Sequence, residues 1–385
     1  MREGQVFGPA LFFCAYSRAR IPGRAFHRLP NASHFLPVMH HFGVCHVPGG
    51  EGMVGGGETR GDELQAVHEA WSEYWDDDSD SGEALTNGTH AARLRGYWFG
   101  VFQTEFDAGD RSLRLLDAAC GTGVVARIAR QTAEARGMGG LELFLTDFSE
   151  PALASAVLKP ELSHASCAAA DARSLPFADE SMDMVVSQFG LEYAGVGGFE
   201  SAIRLVAPGG RLACVVHKEG GAIANECAGN LTVLSQVDSS GLIEAFLNLF
   251  TAIRESAPEP DVQAFAQVAG ACGQRINTVL ATAMPGAARE HVSQLLRDMQ
   301  TVMDRIGNYS VAEVRDWAEA QAANIAAYRL RMESMVASAQ SEAGLRTITD
   351  SLARHGYDSI TVAEFPIEDG VFPIAWTLDA RRAGA

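Results

Sequence analysis

Between residues 112 and 217 short apolar runs alternate with stretches of helical spacing, and this alternation restricts the fold more than any other feature of the chain. LRLLDAA (113–119) reads as a strand, followed by a glycine turn and a helical stretch near 123–136. LELFLTD (141–147) is the next strand, and Ser149 caps a helix whose early Pro151 suits a first turn. HASCAAAD (164–171) and MDMVVSQ (182–188) are a third and a fourth strand. A helix near 198–206 leads through APGG into RLACVVH (211–217), a fifth. Units of this kind predict an α/β architecture, a parallel sheet with helices on both faces. Ligands of such sheets bind at the carboxyl ends of the strands, near the point where strand order reverses.

The flanks differ from this core. Residues 1–57 carry poor apolar periodicity and end in GGEGMVGGG, which reads as a disordered leader and linker. The stretch 58–110 holds two short helices separated by an acidic loop, DDDSDSGEALTNG (76–88). Trp71, Tyr74 and Trp75 cluster on the first helix; Tyr97, Trp98, Phe99 and Phe102 cluster on the second. Aromatics at helical spacing pin a helix onto its domain, and the same face suits a lid above an active site. Residues 219–355 show helical spacing throughout, including a capping box from Ser310 to Glu313, and read as a helical cap insertion. Phe246, Phe250, Trp317 and Tyr328 there line an acceptor pocket or form the helices' own core; a homodimer interface is a further use of the block. Residues 356–385 close the chain with two strands, DSITVAEFP (358–366) and VFPIAWTLDA (371–380). Pro373 fits only near the start of the second, because its missing N–H breaks a ladder.

A net charge of −18 argues against a nucleic-acid footprint, which shows as a basic patch or stripe. No apolar run reaches the roughly 18 residues of a membrane span. The seven cysteines are scattered without a CxxC pair and read as reduced thiols of a cytoplasmic protein. His40, His41 and His46 lack cysteine or carboxylate partners at ligand spacing, so no metal is expected.

The chemistry concentrates in LLDAACGTGVVA (115–126), a strand ending in an acid and turning tightly into a helix. Gly121 and Gly123 let backbone N–H groups approach a ligand closely. Alone the pattern is ambiguous, because Gly121, Gly123 and Ala126 also satisfy the dinucleotide fingerprint of nicotinamide oxidoreductases. The neighbours narrow the choice: Asp147 closes the second strand, Asp171 stands in ADARSLPF (170–177), and APGGR (207–211) precedes the fifth strand.

Together these residues resemble the class I S-adenosylmethionine-dependent methyltransferase superfamily, particularly its small-molecule and quinone branch. DAACGTG resembles the first motif, with Ala119 where many members carry a glycine. TDFSEPAL (146–153) and ADARSLPF resemble the second and third, and SMDMVVSQFGLEY (181–193) resembles the strand and loop beside the methyl group. The resemblance implies a Rossmann-like, doubly wound, seven-stranded sheet of order 3-2-1-4-5-7-6, the last strand antiparallel. It implies S-adenosylmethionine as cofactor and a small-molecule methyl acceptor as partner. Asp117, Ala119, Gly121, Thr122 and Gly123 would form the loop against the methionine moiety. Asp147 would hold the ribose with Phe148 beside it, Asp171 and the Ala172 backbone would read the adenine, and Gln188 and Phe189 would lie near the sulfonium.

Each role has a plainer counterpart. Asp117 also reads as an anchor for the loop through backbone amides, Asp171 as a helix or turn cap, and Gln188 as a partner for buried backbone groups. Methyl transfer to an activated carbon rests on positioning, and a general base matters only for a nucleophile that must lose a proton. His217, directly after the fifth strand, is the best-placed base because its ordinary pKa lies near neutrality. Glu192 and Tyr193 are further candidates, and His217 also reads as a strand-end histidine bonded to a loop. A non-catalytic scaffold with this fold and a nicotinamide oxidoreductase stay open as alternatives.

Overall fold

The computed structural model of the chain describes residues 58–76, 88–106, 112–366 and 372–384. The expectations for residues 1–57 and, but for its two ends, for the acidic loop 76–88 lie outside the described residues. Helices α1 (Glu58–Asp76) and α2 (Gly88–Phe106) precede strand β1 (Leu113–Ala118). Then follow α3 (Val124–Ala135), β2 (Leu141–Asp147), α4 (Glu150–Val157), β3 (Ser166–Ala169), β4 (Met182–Gln188), α5 (Gly195–Leu205) and β5 (Val206–His217). Six helices come next: α6 (Ala222–Ser240), α7 (Leu242–Arg254), α8 (Glu259–Thr282), α9 (Ala287–Asp304), α10 (Val311–Ser338) and α11 (Glu342–Arg354). Strands β6 (Tyr357–Phe365) and β7 (Ala375–Arg382) close the chain.

The seven strands form one sheet of order β3-β2-β1-β4-β5-β7-β6. β7 runs antiparallel to both β5 and β6, and the remaining pairs are parallel. This is the Rossmann-like order expected above. Its centre follows from composition: β4 is a near-continuous apolar run buried on both faces, as parallel strands under two helical layers must be. β6, at the edge, alternates and leaves much of one face exposed. Pro373 lies just before β7, where no ladder needs its N–H, and its carbonyl accepts from the Ala222 N–H at 2.9 Å.

β5 starts earlier than the sequence suggests. Val206 pairs with Met182 and Arg211 with Met184, so residues 207–210 bulge out of the ladder. Gly209 takes a left-handed φ of 77° there, which explains a glycine in APGG. Local caps agree with the sequence elsewhere. The Ser149 hydroxyl accepts from the Ala152 N–H at 3.3 Å, and Ser310 and Glu313 exchange the two bonds of a capping box at 3.2 and 2.8 Å.

The described residues divide into two compact units, residues 58–227 with 333–384, and residues 228–332. In the first, the side of the sheet under α5 packs Leu116, Val185, Leu212 and Cys214 against Phe199 and Ile203. Helix α11 belongs to this core through Leu345, Ile348 and Leu352, although its spacing merges with the helical block in sequence. On α2, Trp98 and Phe102 are fully buried, and a buried ionic network ties this helix to the sheet. Arg211 holds Asp379 with two of its nitrogens and reaches the Val101 carbonyl at 3.2 Å, while Arg381 donates to Glu105 at 2.6 Å.

In the second unit Phe246, Phe250 and Trp317 are buried among its own helices, with Phe246 edge-on to Trp317 at 5.8 Å. No helix among the described residues is long and apolar enough to cross a membrane.

Candidate functional site

The carboxyl ends of β1, β2, β4 and β5 meet where the strand order reverses, between β1 and β4. The chain leaves β1 through three left-handed residues: Ala119 (φ 54°), Gly121 (φ 53°) and Gly123 (φ 76°). Two of these are glycines, which adopt that backbone conformation without strain, and their neighbours are close as well. A Cβ on Gly123 would fall 2.5 Å from Leu162 Cδ1, and one on Gly121 would fall 3.0 Å from the Trp75 indole. Thr122, between them, is half-buried.

Two carboxylates fix this loop. Asp147, at the end of β2, accepts from the Gly121 N–H at 2.8 Å and from the Ser149 N–H at 2.9 Å. Burial pushes its carboxyl above the ordinary value, and the backbone bonds from Ser149, Gly121 and Phe148 oppose that push. Asp117 accepts from the Ala126 N–H at 3.0 Å, holding the first turn of α3, and its other oxygen is buried without a partner. Burial raises the Asp117 pKa from 3.8 to about 7; the Ala126 bond opposes the rise and the nearby Asp147 charge adds to it. Asp117 therefore anchors the loop, in line with its plainer reading.

Phe148 follows Asp147 and is stacked by His68 of α1, with ring centroids 4.4 Å apart and planes 17° apart. Asp171 begins a single 3-10 turn at Ala172–Ser174 and accepts from the Arg173 N–H at 2.8 Å and from Arg173 Nε at 2.9 Å. Burial works against its charge, but Arg173 outweighs it and holds the carboxyl below its usual range. Ala172 is partly buried against the core. Gln188, the last residue of β4, accepts from Trp98 Nε1 at 2.7 Å. Asp171 thus caps its turn, as its plainer reading has it, whereas the partner of Gln188 is an indole side chain and not the backbone groups of its plainer reading.

At the ends of β4 and β5 a second group forms. Glu192 Oε1 accepts from the His217 backbone N–H at 2.9 Å and lies 2.8 Å from His217 Nδ1. Both side chains are buried, and Glu192 Oε2 has no partner. Phe189, itself left-handed at φ 54°, lies against the imidazole with centroids 4.3 Å apart. Tyr193 meets the same imidazole edge-on at 5.8 Å and Trp71 of α1 edge-on at 5.7 Å. Burial, then the Glu192 charge, raises the Tyr193 phenol well above its ordinary value.

His68, Trp71 and Trp75 therefore all meet residues at the strand ends, which makes α1 a cover for this edge of the sheet. The aromatic spacing of α1 signals packing but not its target, and nothing in the sequence singles out His68, Arg173 or Gly190. A groove of about 380 Å³ between α2 and α3, lined by Ala92, Phe99 and Gln131 among others, includes none of these strand-end residues.

Residues 116–214 match the methyltransferase domain family. The match covers roughly a quarter of the chain and spans β1 to β5. It indicates S-adenosylmethionine as the methyl donor. No curated protein matches the chain. Among solved structures the chain is similar to the DszA carbon methyltransferase, with 11% identity, 79% of this chain and 57% of that one covered, and a TM-score of 0.41. It is also similar to an S-adenosylmethionine-dependent methyltransferase from Mesorhizobium loti, with 23% identity, coverage of 31% and 53%, and a TM-score of 0.26. A third is the N-methyltransferase NodS from Bradyrhizobium japonicum in complex with S-adenosyl-L-homocysteine, with 17% identity, coverage of 40% and 75%, and a TM-score of 0.34. The chain spans less than two thirds of the length of the first two.

Proposed function

We propose that the chain transfers a methyl group from S-adenosylmethionine to a small, partly apolar molecule at oxygen, nitrogen or carbon. The observation that carries the reading is the loop after β1, where Asp147 grips the Gly121 N–H and two glycines bare the backbone. The residues present fit such a cofactor. The Gly121 and Ser149 N–H groups take one Asp147 oxygen each, the Phe148 backbone adds a third bond, and a carboxylate offers about four lone-pair sites, so acceptor capacity remains for a ribose hydroxyl. When bound, S-adenosylmethionine supplies a methyl group already activated by a positive sulfur. The chain's own task is to position the acceptor and exclude water.

His217 receives a proton where the acceptor must lose one. With Glu192 Oε1 taking the Nδ1–H, Nε2 is left as the basic nitrogen. Phe189 and Tyr193 keep the imidazole in an apolar setting.

A second reading is a non-catalytic binding protein of the same fold, favoured by Asp171 being satisfied by Arg173 and Gln188 by Trp98. One experiment separates the readings: calorimetry with S-adenosylmethionine and with NAD(P), then incubation with isotope-labelled methyl donor and cell extract. Binding of the first alone, with a labelled product identified by mass, is expected. Binding without any labelled product supports the scaffold, and binding of NAD(P) alone supports an oxidoreductase.

A further inference from the structure

We propose that Gly190 is a positioning residue for the methyl-donor loop, its missing side chain leaving the space that the Ala119 methyl fills. The inference rests on the donor reading above. A Cβ built on Gly190 would stand 2.5 Å from Ala119 Cβ, 3.0 Å from the Ala119 carbonyl oxygen and 3.1 Å from Ser187 Oγ. Carbon atoms in contact sit about 3.5–4.0 Å apart, so one methyl group too many is present the moment residue 190 is enlarged. The backbone at Gly190 is at φ −140° and ψ −60°, outside the left-handed region. Glycine is required there by the neighbour across the gap.

That neighbour is itself constrained. Ala119 holds a left-handed φ of 54°, which costs an L-residue energy that glycine would not spend. The residues after it are pinned to β2: the Cys120 N–H donates to the Thr146 carbonyl at 2.9 Å and the Gly121 N–H to Asp147. Ala119 therefore cannot retreat from residue 190 without disturbing the bond between Gly121 and Asp147. On the other side, the Phe189 N–H is tied to the Val215 carbonyl at 2.8 Å, and the next turn carries Glu192 and Tyr193. Two loops, each fastened to the strand beside the one it leaves, touch through one methyl and one missing methyl. The contact sets the distance between the group that holds the methyl donor and the group that holds His217.

The test uses the full chain as wild type, Gly190→Ala, and Ala119→Gly/Gly190→Ala, with S-adenosylhomocysteine affinity read by calorimetry and folding by thermal melting. Gly190→Ala is expected to weaken binding by about tenfold or more, because overpacking moves the loop. The double variant, which removes the colliding methyl, is expected to return to within about threefold of wild type. Gly190→Ala binding as tightly as wild type overturns the proposal, and so does a double variant no better than the single one. Where Gly190→Ala does not fold, a double variant that folds and binds supports the contact, and one that also fails overturns it. Wild type that binds no S-adenosylhomocysteine overturns the donor reading itself and this proposal with it.

Discussion

The two halves of the strand-end edge are built differently. At β1 and β2 the polar side chains grip the main chain: Asp147 holds the Gly121 and Ser149 N–H groups, and Asp117 holds that of Ala126. At β4 and β5 one oxygen serves both kinds of partner: Glu192 Oε1 takes the His217 backbone N–H and also meets the imidazole Nδ1, and the other oxygen is left over, as at Asp117. The first arrangement makes a rigid backbone surface whose shape is also a stability element. The second, under the proposed function, would also move a proton through the imidazole. Under this division, damage at β1–β2 shows in binding and melting together, and damage at β4–β5 shows in turnover.

The sharpest way to break the comparison is His217→Asn. Turnover on a proton-losing acceptor is expected to fall by about 10²–10⁴-fold, the usual worth of a general base, with S-adenosylhomocysteine affinity unchanged within about threefold. An equal loss in both quantities, from steady-state kinetics and calorimetry, would sink the division. Asp147→Ala is expected to do the reverse. It strips a buried acceptor from the Gly121 and Ser149 N–H groups, each costing about 1–3 kcal/mol when left unsatisfied, so the melting temperature should fall, and it removes the proposed ribose partner, a charge-assisted bond whose loss should lower affinity about 100-fold. A variant that binds normally removes Asp147 from the donor site. Glu192→Gln is expected to be milder, with turnover down about tenfold and affinity unchanged. A Gln amide donates as well as accepts and so no longer selects the Nδ1–H form of the imidazole, which the pH profile of turnover would register.

Much of this was legible in the sequence, and the exceptions are informative. Periodicity located the strands, most plainly those at the centre, because a strand buried on both faces writes itself as a short apolar run. It placed Ser149 and the Ser310–Glu313 box because caps are local chemistry. It did not see that APGG is a bulge inside β5, since that depends on Met182 and Met184 across the ladder. It did not separate α11 from the helices before it, because Leu345, Ile348 and Leu352 look the same facing either core. At the site, the acids and glycines were readable from their places after strands. Partners distant in sequence were not: Trp98 on Gln188, His68 on Phe148 and Gly190 against Ala119 are set by tertiary packing alone.

Asp117→Asn gives the smallest expected effect, and it carries the opposite sign. The folded-state pKa of Asp117, about 7, lies above its ordinary value of 3.8. Between those values the folded chain keeps a proton that the unfolded chain has released. Stability therefore falls as pH rises through this window, and the penalty is complete above about 7. Asparagine keeps a carbonyl for the Ala126 N–H and carries no charge to desolvate. The variant should gain on wild type by a few degrees in melting temperature between pH 5 and pH 8. Affinity for S-adenosylhomocysteine should stay within about threefold, because only the anchoring bond is at stake. A melting difference that is flat with pH would mean that Asp117 is ionised at no cost in the folded chain. Its second oxygen must then have a partner, and the loop after β1 would be held by one more bond than the geometry assigns.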